Sequence, residues 1–263
     1  MRLEGKIAVI YGAGGAIGGA VAHAFAREGA TLFLAGRNRA KVDAVARDIR
    51  AAGGRAEAAQ VDALEEQAID GHLEAVTARA GRVDISFNAT GIPNTDVQGV
   101  PLIDLAVDRF SLPIAAYTRS QFLTARLAAR RMVKQRSGVI MTITAVPSRT
   151  GIPLLGGFAP AQGAVEALTR SLSAELGPHG IRVVGLRADA MPETGTIKEV
   201  FGIHAKAWDL SWEQFHDLIA SKNHRRRLLT VAETANVAAF LASDEASALT
   251  GTIANLSLGM LDD

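Results

Sequence analysis

Short apolar runs alternate with longer alanine-rich segments of helical period along nearly the whole chain, and this alternation restricts the fold more than any other feature. A strand-length run followed by an amphipathic helix, repeated, implies a parallel sheet covered by helices on both faces. The candidate strands are KIAVIY (6–11), TLFLAG (31–36), RAEAAQV (55–61), VDISFNA (83–89), GVIMTIT (138–144), IRVVGLR (181–187) and TIANLS (252–257). Candidate helices span roughly 16–28, 39–51, 65–80, 115–134, 160–176 and 232–242, with Pro113 expected at a helix start rather than inside one. Residues 189–230 break the rhythm with MPETGT, both tryptophans and three of the six histidines, and read as a lid between the sixth strand and the last helix. No repeat, low-complexity tract or linker divides residues 1–263, so a single domain with seven strands in one open sheet is expected.

Composition narrows the function classes. Lys plus Arg is 28 against 27 for Asp plus Glu, so no overall field favours nucleic acid, a membrane surface or an acidic partner. The absence of cysteine removes disulfides, a thiol nucleophile and thiolate metal ligands. His204, His216 and His224 lack a metal-ligand spacing, and no metal is expected. No apolar run reaches about 18 residues, and MRLEGKIAVIYG enters a strand without the pattern of a secretory leader. Cytoplasmic residence is the expectation.

After the first strand comes YGAGGAIGGA (11–20). Small residues between a strand and a helix let the backbone approach a pyrophosphate, whose charge meets unpaired N–H groups and the helix dipole. The spacing of Gly12, Ala16 and Gly18 departs from the strict dinucleotide fingerprint, and position gives the turn its weight. The second strand ends LAGRNR, where a ribose diol would call for an acid and a 2′-phosphate for a cation. Arg37 is the cation, so NADP(H) is preferred over NAD(H).

With those pieces placed, the chain resembles the short-chain dehydrogenase/reductase family over nearly its whole length. The resemblance is carried by Gly12 to Gly18, Val61-Asp62, VDISFNATG (83–91), GVIMTIT, AVEALTRSLSAELGPHGIRVV (164–184) and FLASDEASALTG (240–251). It implies a doubly wound Rossmann fold and a homo-oligomer, tetramer or dimer, built on helices 115–134 and 160–176. It also implies a cofactor held by Gly12, Gly14, Gly15, Ala16, Ile17 and Gly18 in the turn, and by Arg37 and Asn38 after the second strand. Asp62 beside Ala63 would meet the adenine, Asn88, Ala89 and Thr90 would steady the sheet beside the cofactor, and Thr194 would bind the carboxamide.

The family works with a Ser, a Tyr, a Lys four residues after the Tyr, and an Asn on the preceding helix; each role requires a polar hydrogen. Aligning GVIMTIT and AVEALTR puts Ala145 at the Ser, Phe158 at the Tyr and Gln162 at the Lys, while the Asn falls near 114–117. Losing a general acid alone costs about 10² to 10⁴ in rate, roughly 3 to 5 kcal/mol of barrier, so these residues exclude carbonyl reduction by that tetrad. Gln162 retains a donor for the ribose; Phe158 has none.

Three other residues are candidates. Tyr117 is the better placed of the two tyrosines, although an aromatic packed at a helix interface is the blander reading. Asp189, after the sixth strand, suits an acid, a base, a substrate anchor or simply a turn. Ser148 lies on the loop after Ala145. The resulting expectation is an NADP(H)-dependent oxidoreductase of non-standard mechanism, reducing an activated C=C or C=N bond of a small apolar substrate. The alternatives are a silent relative that binds nucleotide or ligand or completes a hetero-oligomer, and a lyase, cyclase or isomerase using the same pocket. Lid aromatics Phe201, Trp208, Trp212 and Phe215 suggest an apolar ligand, or merely lid packing.

Overall fold

The computed structural model describes residues 1–262. Seven strands form one parallel sheet: β1 (Ile7–Tyr11), β2 (Thr31–Gly36), β3 (Arg55–Gln60), β4 (Ile85–Asn88), β5 (Gly138–Ala145), β6 (Ile181–Ala188) and β7 (Ile253–Leu256). Their order is β3-β2-β1-β4-β5-β6-β7, so the winding reverses between β1 and β4, where open α/β sheets bind ligands. All seven expected strands are present, and the doubly wound seven-stranded fold stands as read from the pattern.

Alternation along β1 explains the layers. Ala8 and Ile10 enter one apolar core with Phe25 of α1 (Ala16–Arg27), Val42 and Ile49 of α2 (Arg39–Ala51), and Ala238 of α8 (Val231–Ala242). Val9 and Tyr11 point the other way, into a core with Leu73 of α3 (Glu66–Ala80), Leu127 of α4 (Val107–Gln135) and Leu172 of α5 (Phe158–Leu176). Burial on both faces is why central strands such as β1 and β4 read as nearly continuous apolar runs, whereas edge strand β3 exposes Arg55, Glu57 and Gln60.

Two helix starts differ from expectation. The fourth helix begins at Val107 rather than near 115, and Pro113 lies inside it. Pro113 forfeits one intrahelical bond, but it is buried, and Asp108 in the first turn complements the helix dipole. The fifth helix begins at Phe158, two residues before the expected Pro160, which then occupies the first turn where its missing N–H costs nothing. The two starts are locked together: a Cβ on Gly157 would lie 1.8 Å from the Phe110 carbonyl oxygen and 3.0 Å from Pro113 Cγ, so only glycine lets α5 begin here. This is why GGF precedes the helix.

The lid contains α6 (Gly195–Ala207) and α7 (Trp212–Lys222). Its aromatics pack one another: Phe201 meets Phe215 at 5.1 Å between ring centroids, and Trp208 meets Phe215 at 5.7 Å. Glu199 of α6 accepts hydrogen bonds from the backbone and hydroxyl of Thr95, holding the lid on the loop after β4. No helix among the described residues is long and apolar enough to cross a membrane.

Candidate active site

The glycine turn lies at the carboxyl end of β1, beside the reversal in strand order. Gly12 has φ of 71°, and a Cβ there would sit 2.7 Å from the Ala89 carbonyl group, so the turn is pressed against the end of β4. Gly15 caps α1 without any side-chain acceptor for the first-turn N–H groups. Ala16, Ile17 and Gly18 then open the helix, whose positive end faces outward from the sheet edge. Such a turn has the bare backbone donors that a pyrophosphate requires.

Arg37 is exposed just past β2, and with Asp62, Thr90, Gly91, Ile92 and Tyr117 it lines one cavity. Asn38 is the N-cap of α2, accepting from the Lys41 N–H at 3.1 Å. Asp62 accepts from the Leu64 N–H at 3.0 Å, and Ala63 is buried beside it. Asn88 is held from three sides: its amide donates to Thr124, its side-chain oxygen accepts from the Thr90 N–H, and its carbonyl accepts from Gln121. Gly14 and Ala89 belong to the same close approach between the turn and its neighbours. A larger cavity of about 380 Å³, lined by Lys6, Asp84, Arg182 and Asp244, lies at the amino ends of the strands. It is on the wrong side of the sheet for a ligand at the switch point.

Ala145 ends β5, and Phe158 and Gln162 are the first residue of α5 and the residue one turn on. The Gln162 side chain is buried, and its amide nitrogen has no hydrogen-bond partner. A buried donor left unmade costs about 1–3 kcal/mol. Phe158 meets Tyr117 of α4 edge to face, 5.7 Å between centroids, and both rings are partly exposed. Burial raises the Tyr117 phenol, and the Ile92 backbone N–H donating to its oxygen offsets part of that rise. It is a neutral phenol at ordinary pH.

The other two candidates have partners. Asp189 accepts from the Asn223 amide at 2.7 Å and from the Ala190 backbone, while burial pushes its carboxyl above the usual range. Ser148 donates to Glu166 at 2.5 Å and accepts from Arg187 Nε at 3.2 Å. Thr194 caps α6, accepting from the Ile197 N–H and donating to the Met191 carbonyl.

Glu166 and Arg187 escaped the sequence reading. They form an ion pair at 2.7 Å with both side chains 2% exposed, between α5 and β6, one turn past Gln162. Thr144 also donates to Glu166. Burial alone would raise the Glu166 pKa, but hydrogen bonds from Arg187, Ser148 and Thr144, with the guanidinium charge, hold it below the usual range. The signal available was an arginine within an apolar strand and a glutamate on the buried face of α5; only the fold joins them.

The sequence model of the family described as Enoyl-(Acyl carrier protein) reductase matches residues 12–260. An oxidoreductase of Bacillus subtilis, YxbG, is 31% identical over 95% of this chain and 89% of its own length. The 7alpha-hydroxysteroid dehydrogenase of Escherichia coli K12 is 29% identical over 98% of this chain and 95% of its own. The structure of an NAD+-bound xylitol dehydrogenase superposes with a TM-score of 0.90 at 26% identity, covering 97% of this chain and 98% of that one. Together with the parallel sheet and the glycine turn at its switch point, these matches mean that the chain belongs to the short-chain dehydrogenase/reductase family.

Proposed function

We propose that this protein is an NADP(H)-dependent oxidoreductase of non-standard mechanism, acting on an activated C=C or C=N bond of a small apolar substrate and not on ordinary ketones. The observation that carries the reading is the buried, partnerless amide of Gln162, one turn past Phe158 on α5. It fits a cofactor: the amide would donate to the ribose, the turn from Gly12 to Gly18 would hold the pyrophosphate, Arg37 the 2′-phosphate, Asp62 the adenosine and Thr194 the carboxamide. The relatives named above support an oxidoreductase, and a bound nicotinamide would supply the hydride.

The chain's own contribution is positioning and, where a substrate needs one, a proton. Phe158 at the phenol position gives neither. Tyr117 is the hydroxyl beside it, lining a cavity with Arg37, Asp62 and Thr90. Asp189 and Ser148 are committed to Asn223 and Glu166. The reading also includes a cytoplasmic homo-oligomer, dimer or tetramer, through 115–134 of α4 and 160–176 of α5, where Phe122 is 42% exposed.

Fluorescence titration with NADPH and NADH tests the proposal. NADPH should bind the folded chain more tightly than NADH, and Gln162→Leu should weaken both. A folded chain that binds neither nucleotide would remove the oxidoreductase reading. Light scattering checks the assembly, with a monomer counting against it.

A further inference from the structure

The lid meets the loop after β4 through α6. Glu199 accepts from the Thr95 backbone and hydroxyl, and Ile203 lies over Gly99, where any Cβ would collide with it. Beside these contacts runs a polar chain sealed from water: His204 is 2% exposed, Gln98 4% and Asn94 2%. The Gln98 amide nitrogen donates to Asn94 Oδ1 at 2.8 Å, which leaves its oxygen facing His204 Nε2 at 3.2 Å. The hydrogen in that second contact comes from the imidazole, so neutral His204 carries its proton on Nε2 and a bare lone pair on Nδ1. Nδ1 is buried without a partner. The ring stacks on Phe215 of α7, 5.8 Å between centroids at 24°, and Phe215 in turn meets Trp208.

A second proton has no place in this arrangement. On Nδ1 it makes a donor that nothing accepts from, and it brings positive charge into a site closed to water. The Phe215 face returns part of that cost by its attraction for a cation, but it supplies no acceptor. Turning both amides over gives the same result, because Nε2 then accepts from Gln98 and the added proton meets an N–H. No neighbouring charge compensates. Lys198, Lys206 and Asp209 around α6, Asp96 on the loop, and Glu213 and Asp217 on α7 are exposed. Glu199 is turned to Thr95, and His216 pairs with Asp217. Burial lowers the His204 pKa, and no charged neighbour contributes.

We propose that His204 is the catch of an acid-released lid: neutral, it holds α6 on the loop after β4, and protonation frees it. The inference goes beyond the oxidoreductase reading and stands without it. A histidine that resists its proton when the lid is closed takes it more readily when the lid is open. Closure is therefore favoured above the ordinary imidazole value of about 6.5 and is lost as pH falls below it. Thr194 caps α6, so release would also move the residue proposed to hold the carboxamide.

The chain has two tryptophans, Trp208 at the end of α6 and Trp212 in α7, so tryptophan emission reports the lid alone. Emission, far-ultraviolet circular dichroism and amide exchange are followed on the chain without nucleotide from about pH 8 to about pH 5, across the imidazole range. Emission should shift to the red below about pH 6.5 with the circular dichroism constant, and protection factors of the α6 amides should fall there by up to about tenfold per pH unit. His204→Phe keeps a ring on Phe215 and cannot titrate, so it should abolish both changes. His216→Gln should retain them, which separates the catch from the histidine stacked on Trp212 at 5.4 Å. Gln98→Glu gives the imidazolium a counter-charge and should keep the lid closed to lower pH, an arm that holds even where His204→Phe folds poorly. Emission and exchange that do not change in the folded parent, changes that survive His204→Phe or vanish with His216→Gln, or release of Gln98→Glu at the parent's pH would overturn the proposal. Because no nucleotide is present, failure of the oxidoreductase reading leaves each outcome as it stands.

Discussion

The two ends of the groove are made differently. At the proposed nucleotide end the chain offers backbone, a glycine turn against Ala89 and an uncapped α1, with exposed Arg37 just past β2. At the reaction end it offers side chains already engaged with one another: Phe158 against Tyr117, Ser148 and Thr144 on Glu166, Glu166 on Arg187, and Asp189 on Asn223. Backbone donors serve any chain with the right turn, so that end tolerates Ala16 within it. Side-chain networks must be exchanged as sets, because a half-satisfied buried polar group costs more than none. The Gln162 amide is the exception among these side chains, buried and without a hydrogen-bond partner.

The largest expected effect tests the side-chain end. Glu166→Ala breaks the buried ion pair with Arg187 and should cost about 3–5 kcal/mol in urea unfolding; Glu166→Leu with Arg187→Met should recover most of that. If the single substitution is neutral, the pair does not hold α5 to β6. The backbone end has its own break point. Gly12→Val adds a branched side chain where even a Cβ meets Ala89 at 2.7 Å, and NADPH affinity should fall roughly a hundredfold or more. Unchanged binding in a fluorescence titration would mean that the cofactor does not approach this turn.

Arg37→Ala sharpens the contrast. It should weaken NADPH by about tenfold, the worth of one charge-assisted contact, and leave NADH alone; an equal loss for both would reassign Arg37. The smallest effect lies beyond both ends, at the start of α8. There Arg227 and Thr230 hydrogen bond to Glu233 and hold it at about 2, below the ordinary carboxylate range. A depressed folded value stabilises the protein above the unfolded pKa, and that stabilisation is lost as pH falls towards 2. Glu233→Gln should therefore lower the melting midpoint slightly near neutral pH and converge with the parent in acid, whereas a constant difference would deny the ion pair its role.

Much of this was legible from residues alone. Strand runs buried on both faces were apolar enough to find, and each helix that faces the sheet carried its period. The amino-terminal part of α4 was not legible, because Pro113 and the mixed run before it look like a helix stop until Gly157 and Phe110 are seen in contact. Ala145, Phe158 and Gln162 were singled out by local spacing alone, and the structure places Ala145 at the end of β5 and Phe158 and Gln162 in the first turns of α5. Glu166 and Arg187 were not, since each alone looks like an ordinary charged residue and their pairing depends on the packing of α5 against β6. Likewise, sequence put Asp189 and Ser148 near the centre but gave no sign that Asn223 and Glu166 engage them.

The most direct measurement is NADPH oxidation with a panel of saturated ketones, by the parent chain and by a variant carrying Ala145→Ser, Phe158→Tyr and Gln162→Lys. The account predicts no ketone turnover by the parent and measurable turnover by the triple variant. Ketone reduction by the parent would contradict it.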